Sequence, residues 1–259
     1  MNTTSSLQER IRNAKALDFG TIFSASIELF KKTWIQGFLL QLFTVLIMLP
    51  LIIVLYIPLF AMIFAQAENG YSDTEMFSNF FAGMSIIYLV FVVVGILVLG
   101  AVSVALNAAF FRIMKMIDHE ESVTTGDFWY FLKGKHLSKT FMLMLVSILI
   151  AIPSALLCYI PILYVMVPMS FFAVIFAFNP ELSVGEIVKL SFNIGTKKWL
   201  LAFGLIFVAS LVSQIVGFLL CGIGVLFTAA FVYHPVYLIY KEVIGIEDDN
   251  NVNILVEEE

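Results

Sequence analysis

The chemistry open to this 259-residue chain rests on three histidines, two cysteines and a few amides set in an apolar sequence. His234 stands before Pro235 among Tyr233, Tyr237 and Tyr240. An imidazole there could ligate a metal or carry a proton, but an aromatic belt with a proline bend suits the same residues and is the preferred reading. His119 and His136 lie far away in a polar stretch, and three scattered histidines do not make a multi-histidine centre. No metal and no cofactor is expected. The run Gly83-Met-Ser-Ile86 lacks the second glycine of a nucleophile elbow. With His234 its only base within the spans, no catalytic residue is assigned and no enzyme is expected. Gln36, Gln41, Asn107 and Gln214 are the strongest polar groups within or near the spans; they either bond helices together, the preferred reading, or line a polar path. Cys158 and Cys221 occupy matching places near two turns, which permits a disulfide without requiring one.

These residues sit in a membrane protein. Hydrophobic residues make up 61% and charged residues 13%, with a mean hydropathy of +1.00, far from a soluble domain. Uncharged runs extend from Thr33 to Ala67, Met76 to Phe111, Thr140 to Pro180 and Trp199 to Tyr240. A crossing needs roughly 20 residues, so the first two runs give one span each and the last two give two each. The expectation is an all-α integral membrane bundle of six transmembrane helices. All 14 lysines and arginines fall on one side of that arrangement, which places both termini in the cytoplasm; a bacterial inner membrane is the expected location by the resemblance given below. The first 33 residues hold no apolar signal-peptide core, so the first span directs insertion. The net charge of -5 comes mostly from the tail and argues against nucleic acid.

The spans are organised as a repeat. "GEIVKLSFNIGTKKWLLAFGL" from Gly185 aligns with "GTIFSASIELFKKTWIQGFLL" from Gly20, and more loosely with "GDFWYFLKGKHLSKTF" from Gly126. Each copy opens with a capping side chain two residues before the glycine: Asp18, Thr124 or Ser183. Ser183 with Glu186 forms a capping box. At the other ends, Pro50 aligns with Pro153 and Leu156 with Leu219, and the sum of these two offsets agrees with the first to within one residue. The reading is three parallel hairpins over about 18–116, 124–180 and 183–241, each preceded by an interfacial amphipathic helix, with a polar segment 1–17 and an acidic tail 242–259. In the first copy Phe19, Ile22, Phe23, Ile27, Phe30 and Trp34 recur at helical spacing. Gly95, Gly100, Ala101, Ala105, Ala108 and Ala109 give the second span a seam for close helix contact.

Each copy ends in lysine plus an aromatic residue. Lys31, Lys32 and Trp34, then Lys139, then Lys197, Lys198 and Trp199 are the candidate contacts with lipid or a partner. As topology signals they need no further role. As a basic, aromatic collar they would recognise anionic headgroups or a partner's cytoplasmic face.

The stretch "SVGEIVKLSFNIGTKKW", the "GIGVLF" of the following hairpin and the closing "HPVYLIY" resemble the membrane domain of glycerophosphoryl diester phosphodiesterases, and six-helix bacterial membrane proteins grouped around it. The likeness covers roughly Asp18 to Lys241. In the fused enzymes a separate soluble domain performs catalysis; the segment after Lys241 is too short for one, so the resemblance implies a membrane module without that activity. The sequence thus points to a non-enzymatic scaffold or accessory subunit, whose partners are membrane lipids and a membrane protein or second copy. Transport of a solute or lipid is the alternative.

Overall fold

The computed structural model describes residues 3–69, 86–157 and 160–246. Asp73, Glu75, Gly83 to Ser85, Cys158 and the tail from Glu247 lie outside them. Cys221 is exposed, and its pairing with Cys158 falls outside the described residues.

Among the described residues all regular structure is helical: α1 (Thr4–Asn13), α2 (Phe19–Asn69), α3 (Ile86–Asp118), a 3-10 segment (Thr125–Leu132), α4 (Lys135–Leu156), α5 (Ile160–Ser170), α6 (Phe172–Phe178), α7 (Val184–Lys197), α8 (Trp199–Leu219), α9 (Val225–Thr228), a second 3-10 turn (Ala229–Val232) and α10 (Tyr233–Ile244). Five helical segments are long and apolar enough to cross a membrane: Phe19–Pro58, Tyr88–Asp118, His136–Leu156, Pro161–Phe178 and Trp199–Leu219. Among the described residues these five helices are compatible with a multi-pass membrane protein. The sixth crossing read from the sequence is not one helix, because the last apolar segment breaks into α9, the 3-10 turn and α10.

The three stretches that align in the sequence take three forms. In the first, the expected interfacial helix is simply the opening turns of α2. At 51 residues and 1.5 Å per residue, that helix is about 75 Å long. Nothing at Lys31 to Trp34 stops it: the first proline is Pro50, and breaking a helix in apolar surroundings would orphan main-chain groups. In the second copy, Thr124 and Asp127 form the capping box, but the helix is a tight 3-10 segment that ends before Gly134. That residue has φ 54°, which glycine adopts without strain. Only the third copy is a separate amphipathic α-helix, α7, with Ser183 and Glu186 closing its capping box.

Two segments read as polar ends are structured. Within 1–17, α1 is capped by Thr3 and buries Leu7 and Ile11, one turn apart, against α7 and α10. At the other end α10 continues past Lys241 and buries Val243 and Ile244, so the tail begins later than 242.

The core lies around the second half of α3. Phe110 and Phe111 meet Phe128 and Phe131 of the 3-10 segment, Phe176 of α6 and Tyr237 of α10, all at most 1% exposed. The small-residue seam does the expected work. A Cβ on Gly95 would come within 2.7 Å of Leu51, and one on Gly100 within 2.9 Å of Met144, so these glycines set the approach of α3 to α2 and α4.

At three prolines in helices, an aromatic side chain solves the local problem that proline creates. Proline has no N–H, so the carbonyl four residues earlier loses its partner. Pro58 frees Val54 O, which the Tyr88 hydroxyl reaches at 3.3 Å. Pro168 frees Tyr164 O, and the Trp199 indole N–H donates to it at 3.0 Å. Pro235 frees Phe231 O, which lies 3.2 Å from Nδ1 of His234. Each donor is an aromatic side chain, able to sit in apolar surroundings while delivering one hydrogen bond.

Candidate functional site: the polar face of α1 and α7

The site is assembled from the sequence-predicted lysines and aromatics together with α1. Lys31 pairs with Glu28 at 2.6 Å, both largely exposed, a contact worth a few tenths of a kcal/mol. Lys32 is exposed and makes no ion pair or hydrogen bond with a described residue. Trp34 is 44% exposed and leans on Phe227. These three present an outward basic and aromatic surface.

The other lysines turn to main-chain oxygens. Lys139 donates to Pro180 O and Leu182 O, holding the turn before Ser183. Lys197 donates to Arg12 O and Lys198 to Lys15 O. The last carbonyls of α1 and its exit strand are therefore satisfied by ammonium groups, as cations near helix C-termini commonly do. Burial, and then the adjacent charge of Lys197, hold the Lys198 ammonium below the usual lysine range. Trp199 is also committed inward, its indole bound to Tyr164 O and its ring stacked on Phe203 at 4.9 Å.

α1 is fastened at both ends. Thr4 donates to Glu186 at 2.6 Å, and Arg10 donates to Ile244 O at 2.9 Å. Glu186 accepts from the Ser183 hydroxyl, the Thr4 hydroxyl and the Ser183 N–H, which lower its carboxyl from 4.5 to about 2. Beneath it, Asp118 at the end of α3 accepts from Tyr237 at 3.0 Å and Lys241 at 2.6 Å. Arg112 donates to Asp127 at 3.2 Å and lies 4.3 Å over the ring of Tyr130. Burial alone would raise Asp127; bonds from Thr124 and then Arg112 outweigh it and leave the carboxyl low.

The intramembrane polar residues are not brought together. His234 is fully buried. With Nδ1–H aimed at the carbonyls of Ala230 and Phe231, the neutral ring accepts at Nε2. The Thr33 hydroxyl, 2.7 Å from Nε2 and 3.0 Å from Leu29 O, shares its proton between them. Asn107 is half-buried and bonded to Tyr233. Gln41 is half-buried, and Gln214 is exposed on α8. Among the described residues no group of His, Cys, Asp and Glu is arranged to hold a metal.

Sequence reasoning missed α1, the Asp118–Tyr237–Lys241 cluster and the Arg112–Asp127 pair. Faint signals existed: Leu7 and Ile11, like Tyr237 and Lys241, stand one helical turn apart. α1 and α7 flank a groove of about 860 Å³, walled by Gln8, Glu9 and Arg12 on one side and by Asn193 and Lys197 on the other. Tyr164 also lines it, its hydroxyl 2.7 Å from Thr196.

Compared with known proteins, the chain matches no family model, no curated protein and no solved structure.

Proposed function

We propose that this is a non-enzymatic, multi-pass protein of the bacterial inner membrane that serves as a scaffold or accessory subunit. It meets lipid along its apolar flanks and a partner protein, or a second copy, at the face carrying α1. The proposal includes the finer architecture: three hairpins with both termini cytoplasmic, the broken α9–α10 segment being the sixth crossing. It also includes kinship with the membrane domain of glycerophosphoryl diester phosphodiesterases.

One observation carries this reading. Three pairs of polar groups within the core engage each other, His234 with Thr33, Asn179 with Tyr240 at 2.8 Å, and Asn107 with Tyr233, while Gln36 Oε1 and Ser191 Oγ are buried without a hydrogen-bond partner among the described residues. The unengaged charges, Lys32, Glu9 and Arg12, stand on exposed positions. Buried groups satisfied internally favour a fixed body over a conducting path, and free charge at the rim favours recognition. Transport is the weaker alternative, because Asn107 and Gln214 point to different environments.

Crosslinking in native membranes, followed by mild-detergent purification and mass spectrometry, tests the proposal. A stoichiometric partner or defined homo-oligomer linked through Lys31, Lys32 or α1 is the expected result. Recovery of an uncomplexed monomer would overturn it.

A further inference from the structure

The groove between α1 and α7 holds a donor set that the folding contacts leave unused. Glu9 and Arg12 are three residues apart on α1, hence side by side. Both are exposed, and neither forms an ion pair with a described residue. Gln8 adds an amide whose Nε2 is buried without a hydrogen-bond partner, a condition that calls for an acceptor from outside the chain. Across the groove Lys197 uses one N–H on Arg12 O, and an ammonium has two more. Asn193 beside it is exposed. The groove thus offers two cations, two amides and one carboxylate.

Its position narrows the ligand further. Tyr164 belongs to the apolar segment Pro161–Phe178 and is 41% exposed, as are Leu163 at 53% and Met166 at 41%. Trp199, which opens the next apolar segment, is tied to Tyr164 O. One wall is therefore membrane-facing and the others polar, the setting of a headgroup whose chains remain in the bilayer. Resting on the reading that the apolar flank beside this groove, at Leu163, Tyr164 and Met166, meets lipid, we propose that the groove binds the phosphodiester headgroup of an aminophospholipid. Arg12 and Lys197 take the phosphate, Gln8 and Asn193 its remaining oxygens, and Glu9 the headgroup amine. A charge-assisted bond to phosphate is stronger than a neutral one, and the lone carboxylate distinguishes lipids with an amine from those without.

The test uses the delipidated full chain, titrated in detergent with phosphatidylethanolamine, phosphatidylglycerol or diacylglycerol and read by native mass spectrometry. The expected order is phosphatidylethanolamine, then phosphatidylglycerol, with diacylglycerol far behind. Arg12→Gln, which keeps the main-chain oxygen that Lys197 holds, should weaken both phospholipids about tenfold. Glu9→Gln should erase the preference for the amine while sparing phosphatidylglycerol. Lys32→Gln, away from the groove, should change nothing. Unchanged affinity in Arg12→Gln, or an unchanged lipid preference in Glu9→Gln, overturns the proposal. Displacement by water-soluble glycerophosphoethanolamine at the lipid's own concentration would also overturn it, making a soluble phosphodiester the ligand. Because the titration uses the purified chain alone, failure to find a protein partner leaves its result standing.

Discussion

Along α3, Leu89, Val90, Phe91, Val93 and Val94 are each about half exposed, whereas eight of the ten residues from Ala105 to Met114 are buried. The two exceptions, Asn107 and Arg112, reach polar partners, Tyr233 and Asp127. Both halves are apolar, yet only the second is packed. Its neighbour α2 repeats the contrast, with Ile53, Ile57 and Phe60 more than half exposed and Leu29, Thr33 and Leu40 buried. The exposed halves need only hydrophobicity and length, because lipid supplies van der Waals contact from every direction and the helix satisfies its own backbone. The packed halves must fit one another, and there small changes in shape matter.

The largest expected effect breaks that comparison most directly. Phe176→Ala removes a fully buried ring and should cost about 3–5 kcal/mol, while Ile53→Ala, at a 54% exposed position, should cost under about 0.5 kcal/mol. Reversible unfolding in detergent micelles measures both. Equal losses would mean that the exposed half is packed against something.

Next come two glycines of α7. A Cβ on Gly195 would lie 2.5 Å from Pro168 Cα, so Gly195→Ala should destabilise by about 1–3 kcal/mol. Gly185 meets nothing within 4 Å, and Gly185→Ala should be neutral or stabilise by up to about 1 kcal/mol. The same unfolding titration separates them.

A smaller effect concerns the proline-freed carbonyls. Trp199→Phe keeps the ring stacked on Phe203 but leaves Tyr164 O without its donor, a loss of about 1–2 kcal/mol. Tyr88→Phe, whose bond to Val54 O is longer at 3.3 Å, should cost less. A larger penalty at Tyr88 would reverse the ranking of the packed and exposed halves.

The smallest effect is pH-dependent. The Glu186 carboxyl is lowered from 4.5 to about 2 in the folded chain. Its contribution to docking α1 is therefore complete above about pH 4.5 and lost as pH falls through about 2. Hydrogen exchange at the Leu7 amide, which bonds Thr3 O, should speed up over that window, and Glu186→Gln should flatten the response. Constant exchange across the window would show that α1 is held by Leu7 and Ile11 alone.

Much of the fold was legible because its causes are local. The capping box at Ser183, the capping side chain at Thr124, the apolar runs and the glycine-alanine seam of α3 each depend on residues a few places apart. The last apolar segment was not legible as broken because hydropathy records that Val225 to Tyr240 is apolar, not that Pro235 interrupts its ladder. α1 was read as a polar segment because Leu7 and Ile11 are two apolar residues in a charged stretch, and their burial comes from helices that lie far along the chain.

The candidate site was less legible. Lys139, Lys197, Lys198 and Trp199 stood out by type and spacing, but their spacing is equally that of a topology signal and of a collar. Which oxygen each side chain reaches depends on elements up to 185 residues away: α1 and the residues after it for Lys197 and Lys198, α5 for Trp199, and the turn before α7 for Lys139.

The chain's own pattern determined a helical membrane protein with capped inner elements and close-packing glycines, since backbone hydrogen bonding and hydrophobicity act at short range. Only the tertiary structure decided where the lysines go, how the carbonyls freed by Pro58, Pro168 and Pro235 are satisfied, and that Glu9, Arg12 and Lys197 share one groove. Except at Pro235, where His234 is a near neighbour of Phe231, these are meetings of residues remote in sequence, fixed by how the helices cross.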